Sequence, residues 1–397
     1  MVGVNILLIK NNKVRKNFND WCLNLDFPYA VCEKNILYWD ESHYYIFDKN
    51  EFEYIKNSTN ELVQMVYQTC SYIINNNLLS ELHIPVEFHE AIKYSFFSSK
   101  KQLRGRFDFA FNNGKIKLLE YNSDTPLGIL ETGKIIPAWE EEVFSSSNPF
   151  NSIQNDLKEF FLQYIHQDFY FAVTRTNQED LYNTFFLFNI AKDIGVNAHI
   201  IEYSDLRYDE NNLYDKDFNI IKNLYKLEPW EHIFDYDYDF FNALTNLILN
   251  DKIFIYEEIW NIIPSNKSFL IYIKKLFPES EFLLDASFDF EDITSDLIVK
   301  KPVFEREGKG IEILNKNKIN IISNEMSSIN SNLTIFNEDL YIYQEYFELS
   351  KNNFNNKNIV IGSWVINHSF SGILIREDLK KVTDSDCQFI PYILKEN

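Results

Sequence analysis

Cysteine is scarce. Cys22, Cys32, Cys70 and Cys387 are the only four in 397 residues, and none forms a CxxC pair. A disulfide scaffold and a thiolate zinc site are therefore not expected, and buried thiols are. The seven histidines show no HExxH or other metal spacing. No GxSxG stretch or plausible triad points to nucleophilic catalysis. Glycine and proline, 10 each, are too few for a collagen or a low-complexity linker. Positive charge is also short: 38 Lys and Arg against 59 Asp and Glu leave a net −21. That balance opposes the phosphate neutralisation on which nucleic-acid binders rely. It opposes docking on anionic lipid too, and it tolerates cationic ligands such as polyamines without identifying one. No long apolar run occurs. Val2–Ile9 is too short to span a bilayer, and Lys10, Lys13, Arg15 and Lys16 follow it rather than precede it. Neither a signal peptide nor a membrane span is expected, and the expected compartment is cytoplasmic.

What is abundant is aromatic: 16% of the chain, including 35 Phe and 24 Tyr, within an apolar fraction of 45%. Such a chain buries a large core, and its length suits two or three domains. Leu62, Met65, Val66, Cys70 and Ile73 recur at helical spacing within Glu51–Asn77. Leu103–Asn122 reads as a β-hairpin turning at Asn112-Asn113-Gly114, with Gly105, Phe107, Phe109 and Phe111 alternating with Arg106, Asp108 and Ala110. Leu157–His166 and Glu179–Ile194 read as helices, Phe169–Thr174 and His199–Ile201 as strands; this alternation predicts a parallel pair. Strands at Asp296–Val303, Ile311–Leu314, Leu340–Phe347, Ile359–Ile366 and Gly372–Ile375 predict an antiparallel region. Asn75–Asn77 and Lys351–Asn358 read as surface loops. The expected division is 1–150 with the hairpin, 151–265 as an α/β unit, and 266–397 as an antiparallel region.

Chemistry concentrates in four places. On the hairpin, Arg106 and Asp108 share one strand face, as do Glu120 and Asn122 on the other strand. Their oxygens are hard ligands suited to Mg²⁺, and an adjacent Arg can clamp an anion the metal also touches. The bland alternative is a solvent-facing polar strand with incidental ion pairs. Lys300–Gly310 places a lysine at a strand end before a glycine-bearing loop, one way to hold phosphates, although it is neither a Walker A loop nor GxGxxG; an exposed charged hairpin is the alternative. Ser265-Asn266-Lys267 precedes an apolar helix, and Arg376 ends an apolar strand before Glu377 and Asp378, where a surface ion pair explains it equally well.

Taken in order, these pieces resemble a known family. Tyr38-Trp39-Asp40-Glu41-Ser42, Gly105-Arg106-Phe107-Asp108-Phe109, Leu119-Glu120-Tyr121-Asn122-Ser123-Asp124-Thr125-Pro126, Asn266-Lys267, Lys301-Pro302 with Arg306-Glu307-Gly308, Tyr343-Gln344, Gly362-Ser363-Trp364 and Gly372 with Arg376-Glu377-Asp378 are similar to the synthetase domain of glutathionylspermidine synthase and its stand-alone relatives. The resemblance runs over residues 30–395 and implies an ATP-grasp fold: an α/β pre-ATP-grasp-like unit beside a mostly antiparallel nucleotide-binding β region. It implies Asp108, Glu120 and Asn122 as Mg²⁺ ligands, and Arg106 at the transferring phosphate. Lys267 and Lys301 match the lysines that hold ATP phosphates, with Arg306 and Gly308 in the loop beside them. Arg376 matches an arginine near the reacting carboxylate, and Gln344 and Glu345 lie where adenine is often met.

The implied activity is an ATP- and Mg²⁺-dependent carboxylate–amine ligation through an acyl phosphate, acting on small-molecule or peptide carboxylates and amines. Bifunctional members carry an upstream amidase domain with a Cys–His pair, which has no counterpart in this sequence. Their serine-rich glutathione-recognising stretch is here Thr125-Pro126-Leu127-Gly128. The expected donor is therefore a peptide-like carboxylate other than glutathione, and the expected acceptor a polyamine or basic amino compound. Glu305 stands where the family often has Gly in the phosphate loop, which keeps open a nucleotide-binding regulatory or scaffold protein. A phosphotransferase that releases the acyl phosphate or uses a hydroxyl acceptor is also open. Alanine at Asp108 or Glu120 is expected to abolish turnover and leave the fold intact. A two-residue turn at Asn113-Gly114 pairs Asp108 with Leu119 and sends Glu120 and Asn122 to the far face. A three-residue loop, pairing Arg106 with Glu120 and Asp108 with Leu118, is therefore expected.

Overall fold

The computed structural model describes residues 8–30, 37–98, 103–144, 151–317, 319–323, 340–384 and 386–395. Cys32 lies outside them; Cys22, Cys70 and Cys387 are buried free thiols. Among the described residues no helix is long and apolar enough to cross a membrane.

Three sheets matter for the site. The central one is antiparallel and has five strands in the order Gln388–Ile390, Ser369–Asp378, Asn358–Ile366, Arg104–Asn112, Lys115–Asn122. The hairpin thus shares a sheet with strands more than two hundred residues downstream. Behind this sheet lies the helix Lys49–Asn75, opened by a capping box between Asp48 and Glu51. Its Thr59 hydroxyl meets the Ser363 hydroxyl at 2.6 Å, and its Asn60 side chain accepts from the Phe370 N–H at 2.9 Å. Because neighbours alternate, the helix covers the Ser363 face and leaves the Gly362 face for the site.

The second sheet is parallel, ordered Phe254–Tyr256, Asn223–Tyr225, Asp168–Val173, Asn197–Glu202. The expected crossover between its last two strands is the helix Gln178–Asp193, capped by Asn177, whose side chain accepts from Glu179 N–H and Asp180 N–H. The third sheet is antiparallel, ordered Ala286–Ser287, Tyr341–Glu345, Leu297–Pro302, Glu312–Asn315, Asn320–Ser323. It presents Lys301 toward the hairpin.

One expectation needs correction. The hairpin turn has two central residues: Asn112 pairs with Lys115, and Asn113 and Gly114 both have positive φ (50° and 73°), the signature of a tight type I′ turn. The required face change comes from a β-bulge instead. Phe109 pairs with Leu118 but Asp108 pairs with Glu120, so Leu119 is an extra residue that rotates the rest of its strand. Arg106 then stands opposite Asn122 rather than Glu120. Lys351–Asn358 is largely an exposed loop, as expected, anchored by Asn352, which is 1% exposed and donates to the Glu377 carboxylate at 2.5 Å. Asn75–Asn77 is exposed, as a surface turn should be.

Candidate active site

Arg106, Asp108, Glu120, Asn122, Lys301, Arg306, Gly308, Gln344, Glu345 and Arg376 line one cavity of about 380 Å³ between the central and third sheets. Lys267 stands at its edge, its Nζ 3.7 Å from Glu120 Oε2.

The hairpin wall is not solvent-facing. Asp108 is 3% exposed and Arg106 7%. Arg106 grips Asp108 with two nitrogens, Nε to Oδ1 at 2.7 Å and Nη2 to Oδ2 at 3.0 Å. Arg376 reaches the same carboxylate from two strands away, across Asn358–Ile366, Nη2 to Oδ2 at 2.7 Å. Burial pushes the Asp108 carboxyl up, but the two guanidiniums outweigh it and hold it at about 2. Asn122 brings its amide to Asp108 and Glu120, each at 3.2 Å. Gly362 makes room for this arrangement: a Cβ there would lie 3.1 Å from Arg106 Cδ. Two carboxylates and an amide oxygen are hard donors, and Glu120 is the one with free reach into the cavity, its side chain 29% exposed. The set fits Mg²⁺, an ion that completes its shell with phosphate and water.

The facing wall is cationic. Lys301 Nζ donates to the Leu119 carbonyl at 3.0 Å and to Gln344 Oε1 at 2.6 Å. Gln344 in turn donates to the Leu118 carbonyl at 3.3 Å, so the bulge is read from both sides by the third sheet. Burial, only partly offset by Glu120, pushes the Lys301 ammonium down to about 8. Burial also lowers Lys267, with Glu120 again opposing. Lys267 ties down the start of the glycine loop: its N–H donates to the Val303 carbonyl at 3.0 Å and its Nζ to the Glu305 carbonyl. Asn266 fixes Lys267 in turn, donating to the Leu82 carbonyl at 2.7 Å. The Glu305 charge acts on Lys267 and Arg306, and Glu307 stands on the wall, paired with Lys309 at 3.0 Å. Arg306 pairs with Glu231 at 2.5 Å.

Inference from the sequence placed Thr125-Pro126-Leu127 at the donor and quoted Tyr38 in a motif, but missed the other residues of the wall. Tyr38, Thr125, Pro126, Leu127, Asn177, Glu179, Asp180, Glu228 and His232 form an acidic lobe. Arg104 donates to the Pro126 carbonyl and Arg106 to the Leu127 carbonyl, which sets the path of the segment after Asn122. Asp124 anchors the same segment, accepting from Lys226 Nζ at 2.8 Å and Trp230 N–H at 3.1 Å. Tyr38 carried a signal, since it opens the first shared motif. Glu179 and Asp180 carried none: acids in a first helical turn are ordinary.

Comparison with known proteins decides the family. Residues 9–395 match the family model described as glutathionylspermidine synthase preATP-grasp. The chain belongs to the glutathionylspermidine synthase family. A relative from Haemophilus influenzae, provisionally named an acid–amine ligase, is 30% identical over 93% of this chain and 95% of its own. Trypanothione synthetase of Crithidia fasciculata is 26% identical over 83% of this chain, which spans 53% of that protein. The bifunctional glutathionylspermidine synthetase/amidase of Escherichia coli is 23% identical over 93% of this chain, which spans 62% of it. A solved glutathione synthetase-like effector from Globodera pallida aligns over 97% of this chain and 98% of its own, with a TM-score of 0.54 at 12% identity. The fold is therefore the mixed α/β, ATP-grasp type of these synthetases, and the family is one of ligases.

Proposed function

We propose that the protein is an ADP-forming acid–amine ligase that uses ATP and Mg²⁺ and passes through an acyl phosphate. The observation that carries this reading is one carboxylate, Asp108, held by two arginines, one on its own strand and one from two strands away, and facing buried Lys301 across a cavity with buried Lys267 at its edge. Mg²⁺ held by Asp108, Glu120 and Asn122 would neutralise phosphate charge. Lys267, Lys301 and the Arg306–Gly310 loop would hold the ATP phosphates, and Gln344 and Glu345 would lie beside adenine. Arg106 and Arg376 would orient the donor carboxylate and the transferred phosphoryl group. The chain's part is positioning and charge stabilisation. A lid formed by Arg306–Gly310 would exclude water from the acyl phosphate.

The acceptor enters from the other end. Glu179, Asp180 and Glu228 make a lobe that suits an ammonium, so a polyamine or basic amino compound is the acceptor. Thr125-Pro126-Leu127 beside Arg106 favours a peptide-like donor other than glutathione. The compartment is cytoplasmic. A regulatory, non-catalytic role is the weaker reading, because Asp108, Glu120, Asn122, Arg106 and Lys301 all line one cavity.

The test is mass spectrometry of products after incubation with ATP, Mg²⁺ and a panel of peptides and polyamines. An amide adduct formed only with ATP supports ligation. Nucleotide binding without turnover supports the regulatory role, and ADP with no adduct supports a phosphotransferase. Glutathionylspermidine as the main product overturns the donor assignment.

A further inference from the structure

Behind the acidic lobe, the Tyr38 hydroxyl lies 2.9 Å from Glu131 Oε1 and 2.8 Å from Glu179 Oε1. A phenol has one hydrogen to donate, and an ionised carboxylate only accepts. Two ionised carboxylates therefore cannot both be bonded to this hydroxyl. The neighbouring bonds remove other solutions. Asn183 donates to the Tyr29 oxygen at 2.9 Å, which turns the Tyr29 hydrogen toward Glu131 Oε1 at 3.1 Å. Glu131 is fully buried and Glu179 lines the cavity.

We infer that Glu131 and Glu179 hold one proton between them through Tyr38, and that Glu179 takes the proton an acceptor ammonium must lose before its nitrogen attacks. The surroundings suit this. Tyr38, Glu131, Asp180 and Glu307 face Glu179, with Arg106 from the hairpin and Cys387 from the C-terminal segment. Asp180 also faces Glu228 and Arg104, and Glu131 also faces Tyr29 and Arg106. Burial first, and then repulsion from Glu131, holds Glu179 above the usual carboxylate range; burial does the same to Glu131. Like-charged carboxylates this close share a proton rather than ionise together.

The step balances. At rest Tyr38 donates to Glu131 and receives from the Glu179 carboxyl. When an ammonium arrives, Tyr38 passes its hydrogen to Glu131 and takes the one on Glu179, freeing the Glu179 carboxylate. That carboxylate removes one proton from the ammonium. The nitrogen lone pair then forms the C–N bond, and the acyl C–O bond breaks with its electron pair leaving on phosphate. The second nitrogen proton departs with phosphate as hydrogen phosphate, and the proton on Glu179 returns to solvent. Glu131 and Tyr38 are positioning residues in this scheme.

The proton count stands on geometry alone; the catalytic half rests on the function proposed above. Infrared spectroscopy of the purified full chain at pH 7 tests the count. Glu131→Gln, Glu179→Gln and the double variant should each lose the signal of one protonated carboxyl, the double losing no more than either single. No loss, or a loss of two in the double, overturns sharing. Kinetics with spermidine and with hydroxylamine, which is neutral at pH 7 and needs no base, test the step on a peptide donor panel. Glu179→Gln should slow spermidine-dependent amide formation by about 10²–10⁴-fold and slow hydroxamate formation by at most about tenfold. Equal loss with both acceptors overturns the role of Glu179. A wild type that yields neither amide nor hydroxamate contradicts the ligase reading, and with it the step, while the infrared count still decides sharing.

Discussion

Lys301 Nζ donates to the main-chain carbonyl of Leu119 at 3.0 Å, and Leu119 is the bulged residue with no partner across the hairpin. One residue thus serves two sheets. Its insertion turns Glu120 and Asn122 onto the face of Arg106 and Asp108, and its carbonyl seats a lysine from the opposite wall. If Lys301 holds ATP phosphate as proposed, Lys301→Met should raise the KM for ATP more than it lowers kcat, because that charge is lost.

The same lysine gives a pH signature. Burial lowers its ammonium to about 8, so its charge is present below that value and lost as pH rises through it. The KM for ATP should climb above about pH 8 in the wild type. In Lys301→Arg the baseline is weaker, since the fork does not fit between Leu119 and Gln344, but the alkaline climb disappears. Steady-state KM measured from pH 6 to 9 checks both.

Asp108 and Glu120 should not respond alike. Asp108 neutralises Arg106 and Arg376 in a buried setting. Asp108→Asn should cost about 3–5 kcal/mol of stability as well as turnover. Glu120→Gln should cost at most about 1 kcal/mol, yet reduce turnover by about 10²-fold or more. Chemical denaturation beside a Mg²⁺ titration of the rate separates the two effects.

At Gly362 the demand is space. Gly362→Val should push Arg106 aside, with about 1–3 kcal/mol lost to overpacking and a rate loss near 10²-fold from the misplaced guanidinium. Thermal melting and kcat report these separately.

Glu257 sets a stability slope. Burial holds its carboxyl at about 8 although Arg104 opposes, against a normal value of 4.5. A raised folded-state value means that stability is full below 4.5 and is lost as pH rises through about 8. The urea midpoint should fall from pH 5 to 9, and Glu257→Gln should flatten the fall.

Much of this was legible in the sequence because strong local patterns were not overridden. The stripe Leu62–Ile73 made its helix, and the alternation at 104–112 made its strand. The hairpin register was not legible. Asn-Gly specified a tight turn and obtained one, and the face change came from a bulge seated on side chains, Lys301 and Gln344, that arrive from 182 and 226 residues away. The acidic lobe was hidden for a related reason. Glu131, Glu179 and Tyr38 meet only in the folded chain. Asn352 looked like loop composition, and only its contact with Glu377 shows why this one residue of an exposed loop is buried.

Oxygen tracing tests acyl-phosphate ligation most directly. Peptides labelled with ¹⁸O in the carboxylate are incubated with ATP, Mg²⁺, spermidine and the purified protein, and phosphate and adduct are weighed by mass spectrometry. One ¹⁸O in the released phosphate for every amide formed is the result expected of Asp108, Arg106, Arg376 and the two lysines acting together. Amide accompanied by unlabelled phosphate, or phosphate released with no amide, contradicts it.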